Sequence, residues 1–321
     1  MRKFLPVVLI LLSALACSLP FEIFTPPPLA TPQPPLGATS TPQLATPLPG
    51  PTPPPATNIP ALTFAQVSNM EVYAPVFERT VTLTDGQYQS GTDPLSADYL
   101  SVNLLNLYAQ GDLDGDGAQD LVALLNENGG GTGQFVSLVI FLNRGGLPVQ
   151  VTQTFIDDRP VINAISIAEG QIMLDAIVHG FEDPGCCPSF SVIQTYRLFD
   201  ARLVLTGLVS RTPSGAERRI TIETPRDGES VSSAVRLTGS VTIAPFENNL
   251  AAVIFDAQTG EQLGAFPCMV DAPDLGAPGT FDVVIPLDGV PAGRQIRIEL
   301  QDQSMADGSL LAMDSVTLQV P

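Results

Sequence analysis

The chain has few positive charges and a single histidine. It contains 14 lysines and arginines against 33 aspartates and glutamates, which gives a net charge of −19. Lys3 is its only lysine, and basic residues form no run. Nucleic acid and anionic lipid headgroups are therefore excluded as expected partners, because both require clustered positive charge. His179 allows at most one histidine-dependent base, and neither G-x-S-x-G nor H-E-x-x-H occurs.

The chain begins with a short apolar run that follows two basic residues. "MRKFLPVVLILLSALAC" is typical of a secretory signal peptide over residues 1–17 and is too short for a comfortable membrane span. Its end, "ALAC", resembles the bacterial lipobox, which implies a diacylglycerol on Cys17. Ordinary signal-peptidase cleavage after Ala16 is the alternative. We therefore expect a protein that is lipid-anchored to the cell membrane on its extracytoplasmic face.

Proline dominates the next segment. Fifteen of the 31 prolines lie between Pro20 and Pro60, among threonine, alanine and leucine. Proline donates no backbone hydrogen bond and favours extended polyproline II, so we predict a disordered linker over residues 18–62. At ~3.1 Å per residue, such a linker reaches on the order of 100 Å when stretched. It would lift a folded part away from the membrane.

Strand patterns dominate the rest of the chain. Segments such as "DLVALL" and "SLVIFL" are apolar on both faces, which predicts central strands, and a short helix is expected near residues 62–70. A spacer over residues 210–219 precedes about seven further strand signals. We predict a mainly β chain with a β-rich domain over residues 63–208, for which α+β is the alternative. An immunoglobulin-like β-sandwich follows over residues 209–321.

The stretch "GDLDGDGAQDLV" is the clearest candidate metal site. Asp112, Asp114, Asp116 and Asp120 occupy loop positions 1, 3, 5 and 9, and the carbonyl of Ala118 would serve position 7. Position 12 is an alanine rather than the glutamate of an EF-hand, and strand patterns flank the loop. We predict a structural Ca²⁺ site that resembles the hairpins of FG-GAP repeats. The alternative is a solvated polar hairpin.

Besides Cys17, the chain has three cysteines, which an exported protein would carry into an oxidising compartment where disulfides form. Cys186 and Cys187 are adjacent in "HGFEDPGCCPSF", where a vicinal disulfide could form within a tight turn. Alternatives are a bridge from one of them to Cys268, or a metal or redox site that includes His179 and Asp183. Two neighbouring thiolates are awkward tetrahedral ligands, which weakens the metal alternative.

Two resemblances to bacterial families add to these patterns. The elements "GDLDGDGAQDLVALL", "NENGGGTGQF" and "HGFEDPGCCPS" are similar to an uncharacterised domain of secreted bacterial lipoproteins, which implies no known reaction. Residues 209–321 resemble the immunoglobulin-like module of spore-germination and related envelope proteins. The residues that carry this second resemblance include Pro225, Gly239, "GAPGTF" and the closing "VTLQV". It implies a binding or scaffolding module without catalytic residues.

Together these features predict a surface-tethered lipoprotein that is not an enzyme. Its expected role is to bind or scaffold an envelope polymer or protein, and the second resemblance adds an association with sporulation or germination. The alternative function is a calcium-dependent hydrolase of cell-wall glycans or peptides. Numerous aspartates could supply a catalytic carboxylate pair that sequence spacing does not reveal.

Overall fold

The computed structural model describes residues 59–321, which belong to one compact unit. The predicted signal peptide, the predicted lipidation site at Cys17 and residues 18–58 of the predicted linker lie outside the described residues.

The described residues are mainly β, which confirms the predicted fold class. The only α-helix among them is α1 (Phe64–Val67), within the segment where a short helix was expected. Its N-terminus is fixed by a capping box in which Thr63 and Gln66 each bond the backbone of the other. Residues of the N-terminal part form the strands β1 (Glu71–Ala74), β2 (Arg79–Thr82), β3 (Gln87–Ser90), β4 (Leu100–Gly111), β5 (Asp120–Asn128), β6 (Phe135–Arg144), β7 (Leu147–Asp158), β8 (Val161–Ala168), β9 (Gln171–Val178), β10 (Phe190–Phe199) and β11 (Arg202–Arg211).

The C-terminal part continues the antiparallel pattern. Its strands are β12 (Glu217–Arg218), β13 (Ile220–Thr224), β14 (Ala234–Val241), β15 (Asn249–Asp256), β16 (Gln262–Asp271), β17 (Gly279–Pro286), β18 (Arg294–Gln303) and β19 (Leu310–Val320), with a 3-10 helix over Phe246–Asn248. Every pair of strands for which a register is defined is antiparallel.

A five-stranded sheet with the order β3-β4-β5-β6-β7 forms the centre of the N-terminal part. The predicted central strands "DLVALL" and "SLVIFL" lie in β5 and β6, and nearly all of their residues are buried. One face of these strands packs against α1, β1 and β2, and the other packs against β9 and Tyr196 of β10. Because both faces are covered, the apolar runs do not alternate with polar residues.

A longer hydrogen-bonded path joins the strands β8 to β11 to the C-terminal strands. Strand β11 pairs with β10 along most of its length, and Gly207 and Leu208 also pair with Asp314 and Met313 of β19. The predicted domain boundary between residues 208 and 209 thus lies inside β11. The division into two domains stays a prediction.

The C-terminal strands enclose one apolar core. Side chains of β13, β14 and β17 meet those of β15, β18 and β19 in a single cluster. Strand β16 pairs with β15 through most of its length and with β17 through Val270 and Asp271. It therefore connects the two groups of strands. The finer assignment of an immunoglobulin-like topology stays a prediction.

Candidate functional site

The aspartate-rich stretch lies between two paired strands, β4 and β5, as the flanking patterns predicted. Carboxylate oxygens of Asp112, Asp114 and Asp116 all lie within 4.8 Å of one another. Asp112 accepts hydrogen bonds from the backbone N–H groups of Gly115 and Gly117, at 2.7 and 2.9 Å. These bonds fold the loop so that three acidic side chains converge.

Asp120 is apart from that group. Its side chain is fully buried, and its two carboxylate oxygens accept from the backbone N–H groups of Leu113 and Asn143, both at 2.8 Å. Burial raises the pKa of Asp120, and the two backbone hydrogen bonds oppose that shift. Asp120 thus fixes the base of the loop to β6, and its role as a position-9 ligand stays a prediction.

Ala118 is buried at the end of the loop, and its N–H donates to Asp116 at 2.8 Å. A cationic side chain faces the acidic group from β6. The guanidinium of Arg144 lies 2.8 Å from Asp114 and 3.3 Å from Asp116. An arginine at this position balances part of the charge, and sequence spacing did not indicate it. The side-chain donors that converge for a cation are the three carboxylates, of which Asp112 carries no arginine contact. The carbonyl of Ala118 stays a predicted ligand.

The cysteine-rich segment connects β9 to β10. Cys186 and Cys187 are joined by a vicinal disulfide, and the N–H of Cys187 donates to the carbonyl of Pro184 in the preceding turn. Cys268 is buried within the core of the C-terminal strands and forms no disulfide with another cysteine of residues 59–321. Burial raises the pKa of the Cys268 thiol to about 11, so the reactive thiolate is scarce near neutral pH.

Asp183 organises the same connection, which we call the cysteine loop (residues 179–189). Its carboxylate accepts from the backbone N–H groups of Gly180 and Ser189 and from the hydroxyl of Ser189, at 2.6–2.7 Å. The hydroxyl bond from Ser189 and the backbone bond from Gly180 hold the pKa of Asp183 below its usual value. With both cysteines in the disulfide, the geometry does not assemble the alternative metal set of histidine, aspartate and two thiolates.

We expect Asp183→Ala to loosen the cysteine loop and leave the rest of the fold intact. The three bonds are local and two of them are exposed, so the melting temperature should stay within about 2 °C of wild type. Amide hydrogen exchange over residues 180–189 should accelerate, with β5 and β6 unchanged. Protection of the loop equal to that of wild type would show that the disulfide alone orders it.

His179 begins the cysteine loop and is held by Asp157 at the end of β7. Both its backbone N–H and its ring Nδ1 contact Oδ2 of Asp157, at 2.5 and 2.8 Å. Its Nε2 is buried and has no partner among the described residues, and the same is true of Nε of Arg159. The other end of the Arg159 guanidinium donates to the carbonyl of Gly185.

A groove runs beside this loop and was not predicted from the sequence. Its first part has a volume of about 420 Å³, within the roughly 300–1,000 Å³ typical of ligand pockets. The cysteine loop and the 304–309 turn before β19 form its walls, and apolar residues of β10, β11 and β19 line it, among them Phe190, Val192, Leu208 and Leu310. Phe181 of the loop is 72% exposed at its rim.

A second depression of about 610 Å³ adjoins the first. The two share Gly180, Glu182, Phe190 and Leu311, so together they form one continuous surface that we call the loop groove. Its far end is lined by three serines, one threonine and two arginines. The two walls of the first part, the cysteine loop and the 304–309 turn, are more than a hundred positions apart in the chain, and no local pattern connects them.

No protein-family model matches the chain, and no curated protein matches it. The two resemblances described above therefore stay predictions. Between residues 59 and 321, no helix is both long and apolar enough to cross a membrane.

Proposed function

We propose that the chain is a lipid-anchored extracytoplasmic protein whose β-rich part binds a component of the cell envelope without transforming it chemically. The observation that carries this proposal is the loop groove, which joins an apolar lining to an exposed aromatic side chain, Phe181. Exposed aromatic side chains beside apolar pockets are the usual anchors of binding sites.

The proposed position at the membrane rests on the N-terminal pattern. A diacylglycerol on Cys17 would contribute ~0.8 kcal/mol of membrane-binding free energy per buried methylene, and two acyl chains suffice for stable anchoring. An association with sporulation or germination rests only on the resemblance of residues 209–321. We propose Ca²⁺ as a structural ion of the 112–116 loop, supported by the three converging carboxylates.

Cys17→Ser should release the protein from the membrane. Without the acyl acceptor, the chain keeps no lipid, so we expect nearly all of it to move from the membrane pellet to the soluble fraction. Ser18→Ala, one position further on, is the control and should stay in the pellet. Mass spectrometry of the mature N-terminus checks the modification directly. Equal fractionation of both variants, with cleavage after Ala16, would favour ordinary secretion.

The binding role is tested by a pull-down of envelope components with the mature, unlipidated chain from residue 18 onward. We expect an envelope polymer or protein to be retained, and Phe181→Ala to retain less of it. Phe246→Ala is the matched control, since Phe246 is also exposed but lies outside the loop groove. Equal recovery by the two variants would mean that the loop groove is not the site.

The second candidate function is a calcium-dependent hydrolase of wall glycans or peptides. One observation favours it: the carboxylates of Glu182 and Asp307 both line the loop groove. Paired carboxylates are the groups that hydrolyse glycosidic bonds. Incubation of the mature chain with purified cell wall and CaCl₂ separates the two functions. Soluble fragments that disappear in Glu182→Gln would establish the hydrolase.

A further inference from the structure

We propose that the loop groove takes an extended peptide in which apolar side chains alternate with lysine or arginine. This inference rests on the proposed binding function and names the class of ligand for the same site. It follows from the shape of the groove, its apolar lining and the charges at its rim.

The arrangement of the loop groove favours an extended chain. Its two depressions, of about 420 and 610 Å³, adjoin along the residues that they share. A compact small molecule would fill only one of them. In an extended peptide, successive side chains point to opposite sides, so every second side chain can enter an apolar lining.

The rim of the groove carries negative charge that no basic side chain neutralises. Glu182 and Asp307 form no salt bridge within residues 59–321. Hydrogen bonds from Ser304 and Ser309 lower the pKa of Asp307, so its carboxylate stays ionised in mild acid. These two carboxylates are available to pair with cationic side chains of a ligand.

The arginines at the far end of the groove do not reverse this charge. Arg211 lies 3.6 Å from Glu217 and 4.0 Å from Asp175. Arg218 donates to the buried carboxylate of Asp302 at 2.5 Å. Both guanidinium groups are therefore balanced within the fold. The loop groove as a whole favours a cationic ligand, which also suits the net charge of −19.

The chain contains no tryptophan, which allows a direct binding assay. Phe181→Trp in the mature chain from residue 18 places a single indole at the rim of the groove. The probe is the acetylated, amidated pentapeptide Leu-Lys-Leu-Lys-Leu. We expect a saturable blue shift of the tryptophan emission below about 1 mM peptide, because the ligand covers the indole. Added salt should weaken the binding.

Two further peptides separate the apolar and cationic contributions. Leu-Glu-Leu-Glu-Leu keeps the apolar side chains and reverses the charge, whereas Ser-Lys-Ser-Lys-Ser keeps the charge and removes the apolar side chains. We expect each to bind at least about tenfold more weakly than the probe, because each loses one of the two contributions.

Matched variants locate the site. Glu182→Gln combined with Asp307→Asn should weaken binding of the probe about tenfold, as expected for the loss of two exposed ion pairs. Glu223→Gln combined with Asp288→Asn removes the same charge from exposed positions elsewhere and should leave the affinity unchanged. Isothermal titration calorimetry measures the affinity of both double variants for the probe, because this method does not require the tryptophan at position 181. All four substitutions lie on the surface, so each variant should fold.

Several outcomes would overturn the inference. No binding of the probe up to about 1 mM, or equal binding of the acidic peptide, would exclude a site for cationic peptides. Light scattering that shows a dimer disrupted by Phe181→Ala would instead assign the groove to a second copy of the chain. A pull-down that retains an envelope component while the pentapeptide fails would leave the proposed function standing and exclude this ligand class. Binding of the pentapeptide with an empty pull-down would support the peptide site and count against the envelope role.

Discussion

Asp120→Ala should destabilise the β-rich part more than any other single change at the acidic loop. The carboxylate is fully buried, and it is the acceptor for the N–H groups of Leu113 and Asn143. Each N–H left unpaired in a buried site costs about 1–3 kcal/mol. We expect a loss of roughly 3 kcal/mol or more in the free energy of unfolding, which corresponds to a fall of about 6–12 °C in melting temperature.

The matched control for this variant is Asp116→Ala. Asp116 lies on the same loop but is exposed, and its backbone contact is a single N–H, that of Ala118. In the presence of a chelator it should melt within about 2 °C of wild type. Thermal denaturation followed by circular dichroism measures both variants. A melting temperature for Asp120→Ala as high as that of the control would show that backbone or water replaces the lost acceptor.

The role of Asp120 shows where sequence spacing stops being informative. Its position nine residues into the loop pattern predicted a calcium ligand, because alternate aspartates converge on an ion in such loops. Asp120 is also the first residue of β5, and its buried carboxylate accepts from two backbone N–H groups, a structural role that the spacing did not indicate. The spacing alone did not distinguish the last residue of a loop from the first residue of a buried strand.

For the central strands β5 and β6, by contrast, the local sequence was sufficient for a correct prediction. The runs in β5 and β6 are apolar at consecutive positions, and only a strand covered on both sides can bury such a run. Local composition thus determines how these strands are covered. It does not determine the order of the strands, because the pairing of β11 with β19 joins residues more than a hundred positions apart.

The loop groove was missed for a similar physical reason. Phe181 is a single aromatic residue within a polar turn, and an exposed phenylalanine by itself carries little information. Its environment becomes distinctive only because the 304–309 turn and β19 pack beside β10 and β11. The sequence does show Phe181 between Gly180 and Glu182. It does not show that the 304–309 turn and β19 lie opposite Phe181 in the fold.

Calcium should raise the melting temperature of the mature chain, and a chelator should reverse the increase. Three carboxylates within 4.8 Å of one another repel unless a cation lies between them, and Arg144 contacts only Asp114 and Asp116. A ligand at 100 times its dissociation constant stabilises the folded state by about 2.7 kcal/mol. We therefore expect an increase of roughly 5–11 °C at saturating CaCl₂, and a smaller one with MgCl₂, which requires stricter geometry.

Two double variants decide whether the 112–116 loop causes this increase. Asp112→Asn combined with Asp116→Asn should abolish it, because two of the three charged ligands are lost. Asp274→Asn combined with Asp288→Asn removes the same charge at exposed positions elsewhere and should keep it. Arg144→Ala should strengthen calcium binding, since the ion no longer competes with a guanidinium for Asp114 and Asp116. If calcium stabilises none of these proteins, the loop is a polar hairpin that Arg144 already neutralises, and the hydrogen bonds of Asp112 and Asp120 account for its order.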